Sequence, residues 1–131
     1  MKKETENWLK IARHDLKIAE ALFKEGLYLG VIEHGHAALE KLIKGIIVNR
    51  SNKTAPKIHS LLELVSLALI ENLEEDMKKL LKELDIKYIA VRYPEDIDYL
   101  QKSLPEETVQ HILSSVKEVF KCLEKNIQKQ N

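Results

Sequence analysis

The stretch Leu27–Asn49, LYLGVIEHGHAALEKLIKGIIVN, decides the fold. Val31, Ile32, Leu39, Leu42, Ile43, Ile46 and Ile47 recur at intervals that suit one apolar face of a helix. Gly30, Gly35 and Gly45 sit inside this helix, each weakening it by about 1 kcal/mol relative to Ala. Close approach of a second backbone accounts for that cost, and Gly35, Ala37 and Ala38 keep this part of the helix thin.

Working outward, the segment from Glu4 to Glu25 carries Trp8, Ile11, Ala12, Ala19, Leu22 and Phe23 at helical spacing. Gly26 ends it, because glycine takes the left-handed conformation at little cost. The short connection predicts an antiparallel hairpin of the two helices. On the other side, residues 50–57, RSNKTAPK, read as a solvated loop containing Arg50, Lys53 and Lys57, with Lys44 one turn back. A short helix is expected over Ile58–Ile70, with Leu61, Leu62, Leu64, Val65 and Leu69, before Asn72 breaks the pattern. Another is expected over Leu73–Val91, with Met77, Leu80, Leu81, Leu84 and Tyr88, stopped by Pro94. Tyr93–Lys102 reads as irregular and acidic (Glu95, Asp96, Asp98). The last helix starts near Pro105, with Ser103 and Glu106 as a Ser-x-x-Glu capping box. Val109, Ile112, Leu113, Val116, Phe120, Leu123 and Ile127 carry its stripe. No segment sustains a two-residue alternation, so no sheet is expected. The expected architecture is an all-α, up-and-down bundle of four long helices plus one short helix, one domain over residues 1–131.

Composition narrows the function. Hydrophobic residues make up 44%, which excludes a disordered chain. Lys plus Arg and Asp plus Glu are both 21, so a globally basic nucleic-acid binder is disfavoured while a local patch is not. The single cysteine, Cys122, excludes an intramolecular disulfide and a cysteine-rich zinc site. No apolar run reaches a membrane span of about 18 residues, and no signal peptide follows Met1. The expectation is a cytoplasmic protein with no membrane association.

Few residues offer chemistry. His34 and His36 point to different helix faces and cannot share a metal, whereas His36 and Glu40 share a face. No Glu-x-x-His repeat completes a metal site, so a helix–helix polar contact is expected and no metal. His14 reads as surface, His111 as structural, and Cys122 as a buried, inert thiol. There is no Gly-x-Ser-x-Gly elbow and no glycine-rich phosphate loop, and no cofactor is implied. The unusual stretch is Tyr88-Ile89-Ala90-Val91-Arg92-Tyr93-Pro94-Glu95-Asp96, an Arg between two Tyr at a helix end. Structurally, Arg92 complements the negative end of the helix dipole, with Glu95 and Asp96 beside it to neutralise it. Functionally, its planar fork grips phosphate and the Tyr rings offer stacking faces.

Three segments together resemble the HEPN family (higher eukaryotes and prokaryotes nucleotide-binding domain). They are Ala12-Arg13-His14-Asp15-Leu16-Lys17-Ile18-Ala19 followed by Gly26-Leu27-Tyr28; Ala37-Ala38-Leu39-Glu40-Lys41-Leu42-Ile43-Lys44; and His59-Ser60-Leu61-Leu62 with Arg92-Tyr93-Pro94-Glu95 further on. They span nearly the whole chain in the family's order, although the family's glutamine-rich helix start is replaced by His36-Ala37. The resemblance implies a helical bundle, usually a homodimer, often encoded beside a minimal nucleotidyltransferase as a toxin–antitoxin pair. Active members are metal-independent ribonucleases with Arg, four to six residues, then His at the dimer cleft.

Here the pattern departs. His14 is adjacent to Arg13, eight residues separate Arg50 from His59, and no His follows Arg92 until His111. The resemblance therefore implies nucleotide or RNA-phosphate binding through Arg92, Tyr93, Tyr88, Glu95, His36, Glu40, Lys41 and His59, in partnership with a nucleotidyltransferase. The alternatives are a metal-independent endoribonuclease with a rearranged site, and a non-catalytic dimerisation or partner-binding module. In some ribonuclease members a Tyr just after the motif is modified with AMP by the partner. Tyr99 stands near that place, but the missing His argues against the role.

Overall fold

The computed structural model describes residues 2–128 of the chain. Those residues form six helices and no strand: α1 (Lys3–Lys24), α2 (Tyr28–Arg50), α3 (Leu61–Leu67), α4 (Glu75–Arg92), α5 (Ile97–Lys102) and α6 (Glu106–Gln128). The all-helical fold and its four long helices agree with the sequence reading, with two short helices in place of one. No helix among the described residues is long and apolar enough to cross a membrane.

The centre of the bundle is α2, which packs on α1, α3, α4 and α6. Val31, Ile32, Leu39, Leu42, Ile43 and Ile46 are buried along it, while Ile47 is half-buried at its flank. The first two helices run antiparallel. Thr5 Oγ1 faces Asn49 Oδ1 at 3.4 Å at one end, and Leu22 meets Gly30 at the other. Two glycines of α2 allow this approach: a Cβ at Gly30 would stand 2.6 Å from Leu22 Cδ1 and one at Gly45 3.1 Å from Trp8 Cβ, whereas one at Gly35 would meet Val116 of α6 at an ordinary 3.7 Å. Most of the apolar face of α1 read off the sequence packs inward, with Leu22 and Phe23 against the core, but it is turned slightly away from Ile11 and towards Leu9. Leu9, Ala12 and Ala19 are buried, whereas Ile11 is on the exposed side. The small Ala12 and Ala19 let α1 sit close to α2, and that contact fixes the rotation. The stripe of α6 is buried as its spacing predicts, from Val109 to Ile127.

The helix ends explain where the boundaries differ. Gly26, with φ +74°, closes α1, Gly26 N donating to Phe23 O at 3.1 Å and Leu27 N to Leu22 O at 2.9 Å. The same arrangement ends α3 early. Leu69 N donates to Ser66 O at 3.2 Å and Ile70 N to Val65 O at 3.3 Å, with Leu69 at φ +56°. At its start, Ser60 Oγ accepts from Glu63 N at 3.3 Å, so α3 spans seven residues rather than Ile58–Ile70.

The stretch read as irregular contains α5, because Asp96 Oδ1 accepts from Tyr99 N at 3.1 Å and caps one further turn and a half. Ser103 is the C-cap of α5, its hydroxyl donating to Leu100 O at 2.6 Å, instead of acting as the cap predicted for the last helix. Arg50, read as loop, is the last residue of α2, and its guanidinium donates to Ala68 O and to Asn126 Oδ1. Cys122 is half-buried rather than enclosed, with Asn72 beside it.

Candidate functional site

Two polar groups are built into opposite sides of α2. On the α1 side, the buried Asp15 carboxylate accepts from Lys41 Nζ at 2.6 Å and faces His34 Nδ1 at 3.0 Å. On the other side His36, Glu40 and Lys44, spaced four apart, line up along one face. All three are buried. Glu40 Oε2 accepts from Lys44 Nζ at 2.9 Å and from His59 Nδ1 at 3.1 Å. Burying a carboxylate and an ammonium costs several kcal/mol each unless they are paired, and here they are.

His36 lies at the back of this site with no solvent exposure. Its Nε2–H donates to Asp85 Oδ1 at 2.9 Å, since an ionised carboxylate only accepts. Its Nδ1 has no hydrogen-bond partner, with Glu40 Oε1 3.6 Å away. The imidazole stacks on Tyr88, centroids 3.8 Å apart and planes within 8°.

Asp85 ties α4 to the start of α3. It also accepts from Leu61 N at 2.9 Å, Leu62 N at 3.4 Å and Ser60 Oγ at 3.2 Å. Burial pushes its carboxyl upward, but the hydrogen bond and charge of His36 and the two amides outweigh that and hold it below its ordinary value.

The mouth of the site is formed by the end of α4. Arg92 Nη1 donates to Tyr88 Oη at 2.9 Å, and the guanidinium carbon lies 5.5 Å from the Tyr88 ring centroid and 5.9 Å from that of Tyr93. The Tyr88 hydroxyl first, and then Tyr93, push the guanidinium's pKa further up, so it stays charged. Tyr93 is 71% exposed. His36, His59, Ser60, Asp85, Tyr88, Ile89, Arg92 and Tyr93 enclose a cleft of about 390 Å³. A hollow of about 370 Å³ at the α1–α2 turn, between Gly26–Gly30 and Leu104, has no charged group in its wall and offers less chemistry.

Of the residues singled out in the sequence, Arg92, Tyr88, Tyr93, His36 and His59 meet in this cleft, and Glu40 lies behind it holding His59. Two lie elsewhere. Lys41 turns to Asp15, because adjacent helical residues point about 100° apart and Glu40 takes the cleft side. Glu95 lines a neighbouring groove with Tyr99, Ile86 and Pro94. Asp85, Ser60 and Lys44 complete the site and were not foreseen there. Asp85 carried a signal: it falls on the Leu81–Leu84–Tyr88 face of α4, where a carboxylate needs partners. Among the described residues no group of three or more His, Cys, Asp or Glu is placed to hold a metal ion. His14 and His111 are exposed, so His111 has no structural burial.

Comparison with known proteins agrees with this fold. The crystal structure of TT1696 from Thermus thermophilus superposes with a TM-score of 0.80 at 23% identity, covering 95% of this chain and 99% of that one. The crystal structure of ST0689, an archaeal HEPN homologue, gives a TM-score of 0.75 at 20% identity, covering 96% and 99%. No functionally curated protein matches at a significant level. The HEPN domain profile matches residues 5–126, from the first turn of α1 into the last turns of α6, and the chain therefore belongs to the HEPN domain family.

Proposed function

We propose that the cleft between α2, α3 and α4 binds the phosphate of a nucleotide or RNA. The observation that carries this reading is the setting of Arg92. Its guanidinium is exposed at the mouth, held between two Tyr rings, and its partner is a hydroxyl rather than a carboxylate. That leaves its charge and most of its five N–H donors for an anion, while the exposed Tyr93 ring offers a face for a base. In this reading the protein acts as one half of a pair with a nucleotidyltransferase, of toxin–antitoxin type. It acts as a homodimer, which the exposed apolar residues Ile86, Ile89, Ile97 and Tyr99 beside the cleft would suit.

Isotope-labelled protein titrated with ATP and with a short single-stranded RNA tests the reading. Saturable amide shifts are expected at Tyr88–Asp96 and around Glu40 and His59, and they vanish in Arg92→Ala. That variant keeps its stability to within about 0.5 kcal/mol, because Arg92 lies on the surface. An absence of shifts at millimolar ligand sinks the proposal.

A second reading, a metal-independent endoribonuclease, is favoured by the presence of His59 in the same cleft as Arg92. General acid–base chemistry then falls to a His outside the usual spacing. RNA left intact after long incubation with chelator, from mildly acidic to mildly basic pH, excludes it.

A further inference from the structure

We propose that His59 is a proton-dependent second cation of the cleft, and that it selects a terminal phosphate monoester over a phosphodiester. This rests on the phosphate-binding reading of the cleft given above. His59 is 69% exposed, yet it is not free to turn, because Nδ1–H is tied to the buried Glu40 Oε2 at 3.1 Å. Glu40 is in turn fixed by Lys44 at 2.9 Å. The one ring nitrogen left for a ligand is Nε2, on a residue that shares the cleft wall with Arg92.

The charges around it make this nitrogen decisive. On α2, Glu40 holds His59 and is itself flanked by Lys44 and His36; Asp85 and Arg92 come to the same cleft from α4, and Lys57 lies two residues away on the segment of His59. Within the cluster, Lys44 and Arg92 balance Glu40 and Asp85. With both histidines neutral these four charges cancel, and the attraction for an anion rests on Arg92 in the cleft wall and on Lys57 outside it. His36 is sealed behind Tyr88, so the proton that a ligand meets is the one on His59. An imidazole is cationic, and donates from both ring nitrogens, only when both carry a proton. A protonated Nε2–H in the same cleft as the Arg92 fork gives two cationic donor groups from two separate segments of the chain. A monoester brings up to two negative charges and three acceptor oxygens to such a pair. A diester brings one charge.

The probes are adenosine 5′-monophosphate and adenosine 3′,5′-cyclic monophosphate, titrated by calorimetry at pH 6.5 and 8.5 into wild type, His59→Asn and Arg92→Ala. Asn keeps an N–H donor for Glu40 and lacks Nε2. Wild type is expected to prefer the monoester about tenfold at pH 6.5, the worth of one charge-assisted hydrogen bond, and less at pH 8.5. The ligand's own second charge grows over this range, so a weakening with rising pH comes from the protein. In His59→Asn the preference falls to about twofold and its pH dependence disappears. Arg92→Ala loses both ligands. If His59→Asn keeps the wild-type preference while Arg92→Ala abolishes binding, the role of His59 is overturned and the phosphate cleft stands. If wild type binds neither compound, both fall.

Discussion

Removing the Asp85 carboxylate should destabilise the fold by about 3 kcal/mol, a figure built from its contacts. In Asp85→Ala the fully buried His36 Nε2 loses its partner at 2.9 Å, and moving the ring proton to Nδ1 leaves an unmatched Nε2 all the same. An orphaned buried polar group costs about 1–3 kcal/mol. Leu61 N and Leu62 N, at 2.9 and 3.4 Å, lose the carboxylate at the start of α3, comparable to losing a helix cap at about 1 kcal/mol. At an unfolding entropy of ~2.1 cal/mol/K per residue over 131 residues, about 3 kcal/mol lowers Tm by about 11 °C.

Asp85→Asn, which keeps one acceptor oxygen but not the charge, should lose about half as much. The folded-state pKa of Asp85 is lowered, so the stability supplied by its charge is present above the unfolded value near 3.8. That stability is lost as pH falls through the lower folded value. In urea titrations the gap between wild type and Asp85→Asn therefore holds from pH 7 to about pH 4 and closes below it. An Asp85→Ala protein within about 0.5 kcal/mol of wild type at pH 7 refutes the view that this residue joins α2, α3 and α4.

Other positions give smaller effects. Leu69→Gly should stabilise by about 1 kcal/mol, read as a rise in Tm, because an exposed Leu holds a left-handed position that suits glycine. Gly35→Ala should gain about 1 kcal/mol of helix propensity, since the new methyl meets Val116 at ordinary contact distance. Gly45→Ala should be at least about 1 kcal/mol less stable than Gly35→Ala in urea, because its methyl meets the Trp8 Cβ at 3.1 Å. Lys41→Met should cost about 1–2 kcal/mol by leaving the buried Asp15 with His34 alone, and should leave phosphate titrations unchanged.

The bundle was legible because each long helix writes its buried face into the chain at a regular period, as Val109 to Ile127 of α6 do. What was not legible depends on rotation and on distant partners. Ile11 and Ala12 are both apolar, and only packing against α2 decides that Ala12 is the buried one. Glu40 and Lys41 look like a local pair, yet they serve opposite sides of α2. Arg92 was visible as unusual from its two Tyr neighbours, and His36 and His59 were named with it through the family resemblance, whereas Asp85 joins them only through contacts with distant segments. The start of α5 was hidden because Asp96 reads as loop acidity until its side chain is seen to accept from Tyr99 N.

The central place of α2 bears on how the chain emerges from the ribosome. Once Arg50 has been made, α1 can cover one side of α2, but the sides that α4 and α6 will cover remain bare, with Leu39, Leu42 and Ile46 among the exposed residues. Synthesis of the 78 residues from Ser51 to Gln128 takes on the order of 4–16 s at ~5–20 residues per second. Through that interval the nascent hairpin is a two-helix fragment with an apolar flank, a substrate for chaperones and for premature pairing with a neighbouring nascent chain. Only the arrival of α6, antiparallel to α1 through Arg13–Glu124 and Lys117–Glu20, seals it.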